Sequence, residues 1–87
     1  MIHIIYSPNF IKQAARLEKR LQKKLASLLV ITAKNPYDSQ LHTKHLSEPL
    51  TGILSFRITR DWRVTFHFVD TTTIHLLEVK HRKDIYR

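Results

Sequence analysis

Residues 52–68, GILSFRITRDWRVTFHF, alternate between apolar and polar side chains with a period of two. The polar positions include Arg57 and Arg63. The apolar positions that alternate with the polar ones carry leucine, isoleucine, valine, phenylalanine and tryptophan. Because successive residues of a strand point to opposite faces, this pattern predicts a β-hairpin with one apolar and one cationic face. Arg60 and Asp61 are expected at its turn. A sheet needs no arginine to fold, so the cationic face is a candidate functional surface.

The chain before the hairpin predicts one strand and one helix. Residues 1–6, MIHIIY, form a short β-branched run, and Ser7-Pro8-Asn9 is a helix-start signal. A stripe of apolar residues then recurs at spacings of three and four, which predicts one long helix from Phe10 to about Ala33. The stripe consists of Phe10, Ala14, Leu17, Leu21, Leu25 and Leu28.

Residues 37–51 are predicted to form a loop, with Leu41, Leu46 and Leu50 as anchors to the core. The histidines of its HTKH segment lie three residues apart, but no third or fourth ligand is evident nearby, so neither a metal nor another cofactor is expected. A turn at residues 70–73 and a strand at residues 74–79 follow. The sequence therefore predicts a single α+β domain over residues 1–87, of order β–α–β–β–β, with helices on one face of a mainly antiparallel sheet.

Charge is the strongest compositional feature. Fifteen Lys and Arg against seven Asp and Glu give a net charge of +8 and a pI near 10.2, which indicates a polyanionic partner. The alternative is a merely soluble basic protein.

The chain has no cysteine, no apolar run long enough for a membrane span and no signal peptide, so a cytoplasmic protein without a membrane partner is expected. The predicted helix carries Lys12, Arg16, Lys19, Arg20, Lys23 and Lys24.

The end of the chain, KHRKDIYR, complements the hairpin. Arginines such as Arg57 and Arg63 suit a phosphate, while a histidine moves protons near neutral pH and a tyrosine orients or stacks on a base. Combined with His81, Arg82 and Tyr86, they have the chemistry for cleaving RNA without metal, by attack of a ribose 2′-hydroxyl on the adjacent phosphate. A basic surface that binds nucleic acid without cutting it fits the same residues.

The segment LHTKHLSEPLTGILSFRITRDWRVTFHF and the terminal HRKDIY resemble the RelE/ParE superfamily of bacterial type II toxins, with the RelE and YafQ-like branches most similar. The resemblance covers nearly the whole chain. It implies a RelE-like fold with two helices, and therefore a bend near residues 17–20 that the periodicity does not predict. It also implies a ribosome-dependent mRNA endonuclease that leaves 2′,3′-cyclic phosphate ends.

The resemblance further implies the partners. These are a cognate acidic antitoxin that holds the toxin inactive, and the ribosome with its mRNA, where the basic helix contacts rRNA. Operator DNA is expected only through the antitoxin. Two alternatives remain, a ParE-like inhibitor of DNA gyrase and a catalytically degenerate member that only binds its antitoxin and co-represses an operon.

Residue by residue, the resemblance assigns phosphate stabilisation to Arg63. Asp61 and Trp62 match an Asp-Trp pair that contributes to activity in YafQ-like members. His81, Arg82 and Tyr86 are expected to supply acid–base and substrate-orienting roles.

Arg57 lies where relatives carry a basic residue or histidine, and Lys80 and Lys83 are further expected substrate contacts. His45 is similar to a loop histidine of the family, although the order here is Lys-His where many relatives have His-Lys. A second departure is Glu48-Pro49, where relatives often carry glycine and lysine.

Overall fold

The computed structural model describes residues 1–85 and has an α+β architecture, which confirms the predicted fold class. Five strands form one sheet of order β1-β5-β4-β3-β2, in which β1 pairs parallel with β5 and the other neighbours are antiparallel. The strands are β1 (His3–Tyr6), β2 (Lys44–His45), β3 (Leu54–Arg57), β4 (Trp62–Asp70) and β5 (Thr73–His81), and the helices are α1 (Pro8–Ala15), α2 (Lys19–Lys34) and α3 (Arg82–Ile85).

The predicted single helix is in fact two helices. The N–H groups of Arg16 and Leu17 bond to carbonyls three residues back, and the backbone is extended at Glu18 (φ −61°, ψ 152°) before α2 begins. The bend implied by the family resemblance is therefore confirmed, and the prediction from periodicity is wrong. Periodicity misses the break because Leu17 and Leu21 continue the buried stripe on both sides of it.

Ser7 sets where α1 begins. Its hydroxyl accepts the N–H of Phe10 at 3.1 Å and donates to the carbonyl of Leu77 at 2.7 Å. The first contact caps the helix, and the second ties its start to β5. Gln13 adds another tie, because its side-chain oxygen accepts the N–H of Val79 at 2.7 Å.

The hairpin lies where the alternation predicts it. Phe56 faces Val64 and Leu54 faces Phe66 across β3 and β4, and all four are buried. β4 and β5 extend further than predicted, so that the turn between them shortens to residues 71–72. The short strand β2 and the helix α3 were not predicted; β2 lies inside the segment predicted as a loop.

The core lies between the two long helices and one face of the sheet. Leu41 and Leu46 are buried as predicted, while Leu50 is half-buried. None of the helices in residues 1–85 combines the length and the apolarity that a membrane span requires. Buried side chains from α1, α2, the bend between them and the strands form one cluster that includes Phe10, Leu17, Leu21, Leu25, Leu28, Phe56, Val64, Phe66, Ile74 and Leu76.

Strand alternation assigns the remaining sheet residues to the other face, which we call the polar face. It carries Ser55, Arg57, Arg63, Thr65, Glu78 and Lys80.

Candidate functional site

A row of three cations crosses the polar face. Arg57 lies opposite Arg63 across β3 and β4, and Arg63 lies opposite Lys80 across β4 and β5. Directly opposed residues have Cβ atoms about 5 Å apart. The row therefore concentrates positive charge at one end of the hairpin, and the sequence predicted all three residues as site candidates.

The Nε atoms of the two arginines in this row lack the partners that buried donors usually have. Arg57 is half-buried. Arg63 is only 8% exposed. The Nε atoms of Arg57 and Arg63 are buried, and neither has a hydrogen-bond partner within the part of the chain that the structure describes. Buried polar atoms are nearly always hydrogen-bonded, so two unpaired guanidinium donors side by side indicate a site for an anionic acceptor.

A cleft of about 460 Å³, which we call the basic cleft, lies at this end of the hairpin. None of its described lining residues is Asp or Glu, and a positive wall of this kind concentrates phosphate from solution. The lining residues are Lys24, Leu28, Gln40, His42, Arg57, Ile58, Thr59, Arg60, Arg63 and Arg82.

Asp61 joins the tail of the chain to the hairpin. Its backbone carbonyl accepts the N–H of Arg82 at 2.7 Å, and its carboxylate pairs with the Arg82 guanidinium at 3.4 Å. The turn itself is held by the hydroxyl of Thr59, which accepts the N–H groups of Asp61 and Trp62 at 3.3 Å. Asp61 thus positions Arg82, which lines the basic cleft.

His81 lies on the opposite face from the cation row. It is paired with Trp62 in the register, on the side of the sheet that carries Val64 and Val79. The His81 and Trp62 rings meet edge to face with centroids 5.3 Å apart, and His81 Nδ1 accepts the N–H of Lys83 at 3.4 Å. The structure therefore brings His81 and Trp62 to each other at the end of β5, and not onto the row of Arg57 and Arg63.

His45 is also directed away from this row. It lies opposite Leu54, whose side chain is in the core, and its ring stacks on that of Tyr37 with centroids 6.2 Å apart. The preceding residue, Lys44, is the one that lies opposite Ser55 and so shares the polar face. Of the other predicted site residues, Lys83 is exposed on α3, and Tyr86 lies outside the described residues.

Three basic residues of the basic cleft, Lys24, His42 and Arg60, are not among the site residues that the sequence predicts. The sequence suggests His42 only as a metal ligand with His45, yet it is the histidine that lines the cleft. It caps the 3₁₀ turn Ser39–Leu41 in a left-handed conformation (φ 50°, ψ 43°). No signal in the sequence places this loop against the hairpin. Within residues 1–85 no three histidines or carboxylates converge to hold a metal ion.

The sequence also identifies the family. Residues 4–86 match the family model described as ParE toxin of type II toxin-antitoxin system, parDE. The chain belongs to this family. It is accordingly a toxin of the RelE/ParE superfamily. Comparison with the sequences of curated proteins found no match.

Solved structures of toxins have the same fold. YafQ from E. coli strain BL21(DE3) is 18% identical, with all of both chains covered and a TM-score of 0.79. The toxin-antitoxin complex RelBE2 from Mycobacterium tuberculosis contains a chain that is 20% identical, covering 93% of this chain and 98% of its own, with a TM-score of 0.78. The YoeB dimer from Staphylococcus aureus is 25% identical over 91% of this chain and 94% of its own, with a TM-score of 0.73.

Proposed function

We propose that this RelE/ParE superfamily toxin is a metal-independent, ribosome-dependent mRNA endonuclease of the YafQ-like branch. The observation that carries the proposal is the pair of buried, unpartnered guanidinium Nε atoms of Arg57 and Arg63 beside the basic cleft. Two fixed cationic donors suit a phosphate whose negative charge grows during the reaction, because they need no reorganisation as the charge develops.

The reaction is an attack of the ribose 2′-hydroxyl oxygen on the adjacent phosphorus. A base accepts the 2′-hydroxyl proton, the O2′–P bond forms, and the P–O5′ bond breaks. An acid gives a proton to the departing O5′, so the products are a 2′,3′-cyclic phosphate and a free 5′-hydroxyl. Arg57 and Arg63 stabilise the additional charge on the phosphate oxygens. Lys80, whose ammonium also pairs with Glu78 at 3.0 Å, stays a candidate for a substrate contact next to Arg63.

Proton transfer is assigned to a histidine of the basic cleft and to residues at the end of the chain. His42 is the candidate for accepting the 2′-hydroxyl proton, because it lines the basic cleft with both arginines. His81 and Tyr86 are the candidates for the donor to O5′ and for orienting the substrate, with Trp62 holding the His81 ring. Arg82, held by Asp61, contributes a further phosphate contact, and His45 and Lys83 stay candidates for contacts with the flanking RNA.

The partners follow from the charge of the surface. The exposed side chains of Lys19, Arg20 and Lys23, in the first half of α2, continue the positive surface past Lys24 at the basic cleft and suit rRNA. A cognate acidic antitoxin is the proposed inhibitor, supported by the RelBE2 toxin-antitoxin complex. Operator DNA is reached only through that antitoxin, and the site of action is the cytoplasm, where ribosomes translate.

A second candidate is inhibition of DNA gyrase, which is favoured by the match to the ParE family model. The unpaired Nε atoms of Arg57 and Arg63 support the nuclease, because fixed donors beside a cleft without carboxylates suit the growing charge of a reacting phosphate. A degenerate toxin that binds its antitoxin and co-represses an operon is the third candidate, and it predicts no toxicity.

The test adds the purified protein to a reconstituted translation reaction and maps the ends of the transcript. The proposal predicts cuts only while ribosomes translate, with 2′,3′-cyclic phosphate ends. Arg63→Ala, which loses one positive charge at the cleft, should cut far more slowly. Lys34→Ala loses one positive charge away from the cleft and should cut like the wild type. Intact transcripts would reject the nuclease, and inhibition of supercoiling by the same preparation would establish the gyrase alternative.

A further inference from the structure

A second, larger cleft of about 760 Å³ lies beside the cation row on the polar face. We call it the loop cleft, because residues 46–50 form one wall and strands β4 and β5 form the other. Thr65 and Lys80 belong to the strand wall, and both are neighbours of Arg63, one along β4 and one across to β5. Neighbouring strands are about 4.8 Å apart, so the loop cleft begins within the span of one nucleotide from Arg63.

The chemistry of the loop cleft is opposite to that of the basic cleft. Its described lining includes the carboxylates of Glu48, Glu78 and Asp84 and one cation, Lys80, whose Nζ pairs with Glu78 at 3.0 Å. Carboxylates repel a phosphate, so the backbone of a nucleic acid is disfavoured here. The half-buried apolar side chains of Leu50, Ile53 and Leu77 in this cleft instead suit a flat, uncharged ring.

A nucleobase combines such an apolar face with an edge of hydrogen-bond donors and acceptors. Glu48 is exposed and makes no hydrogen bond or ion pair with any residue in the range 1–85, so both of its oxygens remain available as acceptors. Guanine presents two adjacent donors, N1–H and the N2 amino group, to two such oxygens. Uracil presents one donor between two carbonyl oxygens, which a carboxylate repels.

We propose that the loop cleft binds the base next to the phosphate held by Arg57 and Arg63, and that Glu48 selects guanine over uracil there. The inference rests on the proposed function, because it takes RNA to be the substrate. It gives Glu48-Pro49, where relatives often carry glycine and lysine, a role in choosing the cleavage position.

The test is a titration of the protein with guanosine 5′-monophosphate and, separately, with uridine 5′-monophosphate, monitored by NMR of the methyl groups of Leu46, Leu50 and Leu77. The inference predicts that guanosine monophosphate binds at least about fivefold more tightly and shifts these methyl resonances. Glu48→Gln should reduce the preference to about one. Glu18→Gln, at an exposed glutamate paired with Arg20, should retain the preference. Equal affinities in the wild type, or a guanine preference that survives Glu48→Gln, would overturn the inference.

Transcript mapping separates this inference from the proposed function. Intact transcripts together with selective guanosine monophosphate binding at the loop cleft would reject the nuclease and support the base site. Cut transcripts with no guanine preference, together with unselective nucleotide binding, would support the nuclease and overturn the base site.

Discussion

Arg57 and Arg63 lie directly opposite each other on β3 and β4, and the Nε of each is buried without a hydrogen-bond partner in residues 1–85. Like charges in directly opposed positions destabilise a sheet, and each unpaired buried donor adds to that cost. A bound phosphate removes both penalties, because its oxygens accept from the donors and its charge offsets theirs. The pair therefore has the properties of an anion site that is preorganised at the expense of the free protein's stability.

Replacing one member of this pair should stabilise the protein while slowing its cleavage of RNA. Arg57→Thr removes the repulsion and supplies a β-branched residue, so the free energy of unfolding should rise by up to about 1 kcal/mol. Urea denaturation at low salt measures the change. Arg60→Thr, at the exposed hairpin turn, is the control and should change stability by less than about 0.5 kcal/mol. A lower stability for Arg57→Thr would contradict the interpretation.

The contact between Asp61 and Arg82 should matter for activity more than for stability. Both side chains are about half exposed, at 54% and 48%, so the ion pair contributes no more than about 1 kcal/mol. Asp61→Asn keeps the backbone hydrogen bond to Arg82 but releases its guanidinium. Single-turnover cleavage rates should fall several-fold for Asp61→Asn, and to a similar extent for Arg82→Gln and for the double variant. Fully additive losses would show that the two residues act separately.

Ser7 should be the most sensitive serine of the helical layer. Ser7→Ala removes both the cap of α1 and the hydrogen bond to the Leu77 carbonyl, so it should destabilise the fold by about 1–2 kcal/mol. Ser27→Ala is the matched control. Its exposed hydroxyl only bonds back to the Lys23 carbonyl within α2, and alanine favours helix, so stability should stay equal or rise slightly. Thermal unfolding of the two variants measures the difference.

The sheet and the core were predictable because strand alternation reports directly which side chains face the core. Leu54 and Phe56 on β3, and Val64 and Phe66 on β4, follow the pattern without exception. The break between α1 and α2 was not predictable from periodicity, because it has no glycine or proline and Leu17 keeps the apolar stripe continuous. Only the family resemblance indicated it.

The candidate site was predictable in part. The alternation that assigned Arg57 and Arg63 to one face depends only on local sequence, and the register places them opposite each other. The faces of His45 and His81 depend on where β2 and β5 begin and end, and neither boundary is marked in the sequence. His42 reaches the basic cleft through the packing of a loop against a distant hairpin, which no local pattern encodes.

The turn between β4 and β5 should make stability depend on pH in the acid range. Hydrogen bonds from the backbone N–H of Thr72 and from the side chain of Thr73 lower the pKa of Asp70 from its ordinary value. A carboxyl group with a lowered pKa stabilises the folded state above its unfolded pKa, and that contribution disappears as the pH falls through the folded pKa. At pH 7, Asp70→Asn should therefore unfold at a lower urea concentration than the wild type. The difference between the two urea midpoints should shrink as the pH falls below about 4. A difference that stays constant with pH would contradict this origin.

The cleavage rate of a transcript on translating ribosomes, compared between the wild type and Arg63→Ala, tests the central claim most directly. Losing one fixed donor to the developing charge should slow cleavage by about 10²–10³-fold, with ribosome binding and circular dichroism unchanged. Lys34→Ala, with the same loss of charge, should cut at the wild-type rate. Equal rates for Arg63→Ala and the wild type would contradict the assignment of Arg57 and Arg63 as the phosphate site.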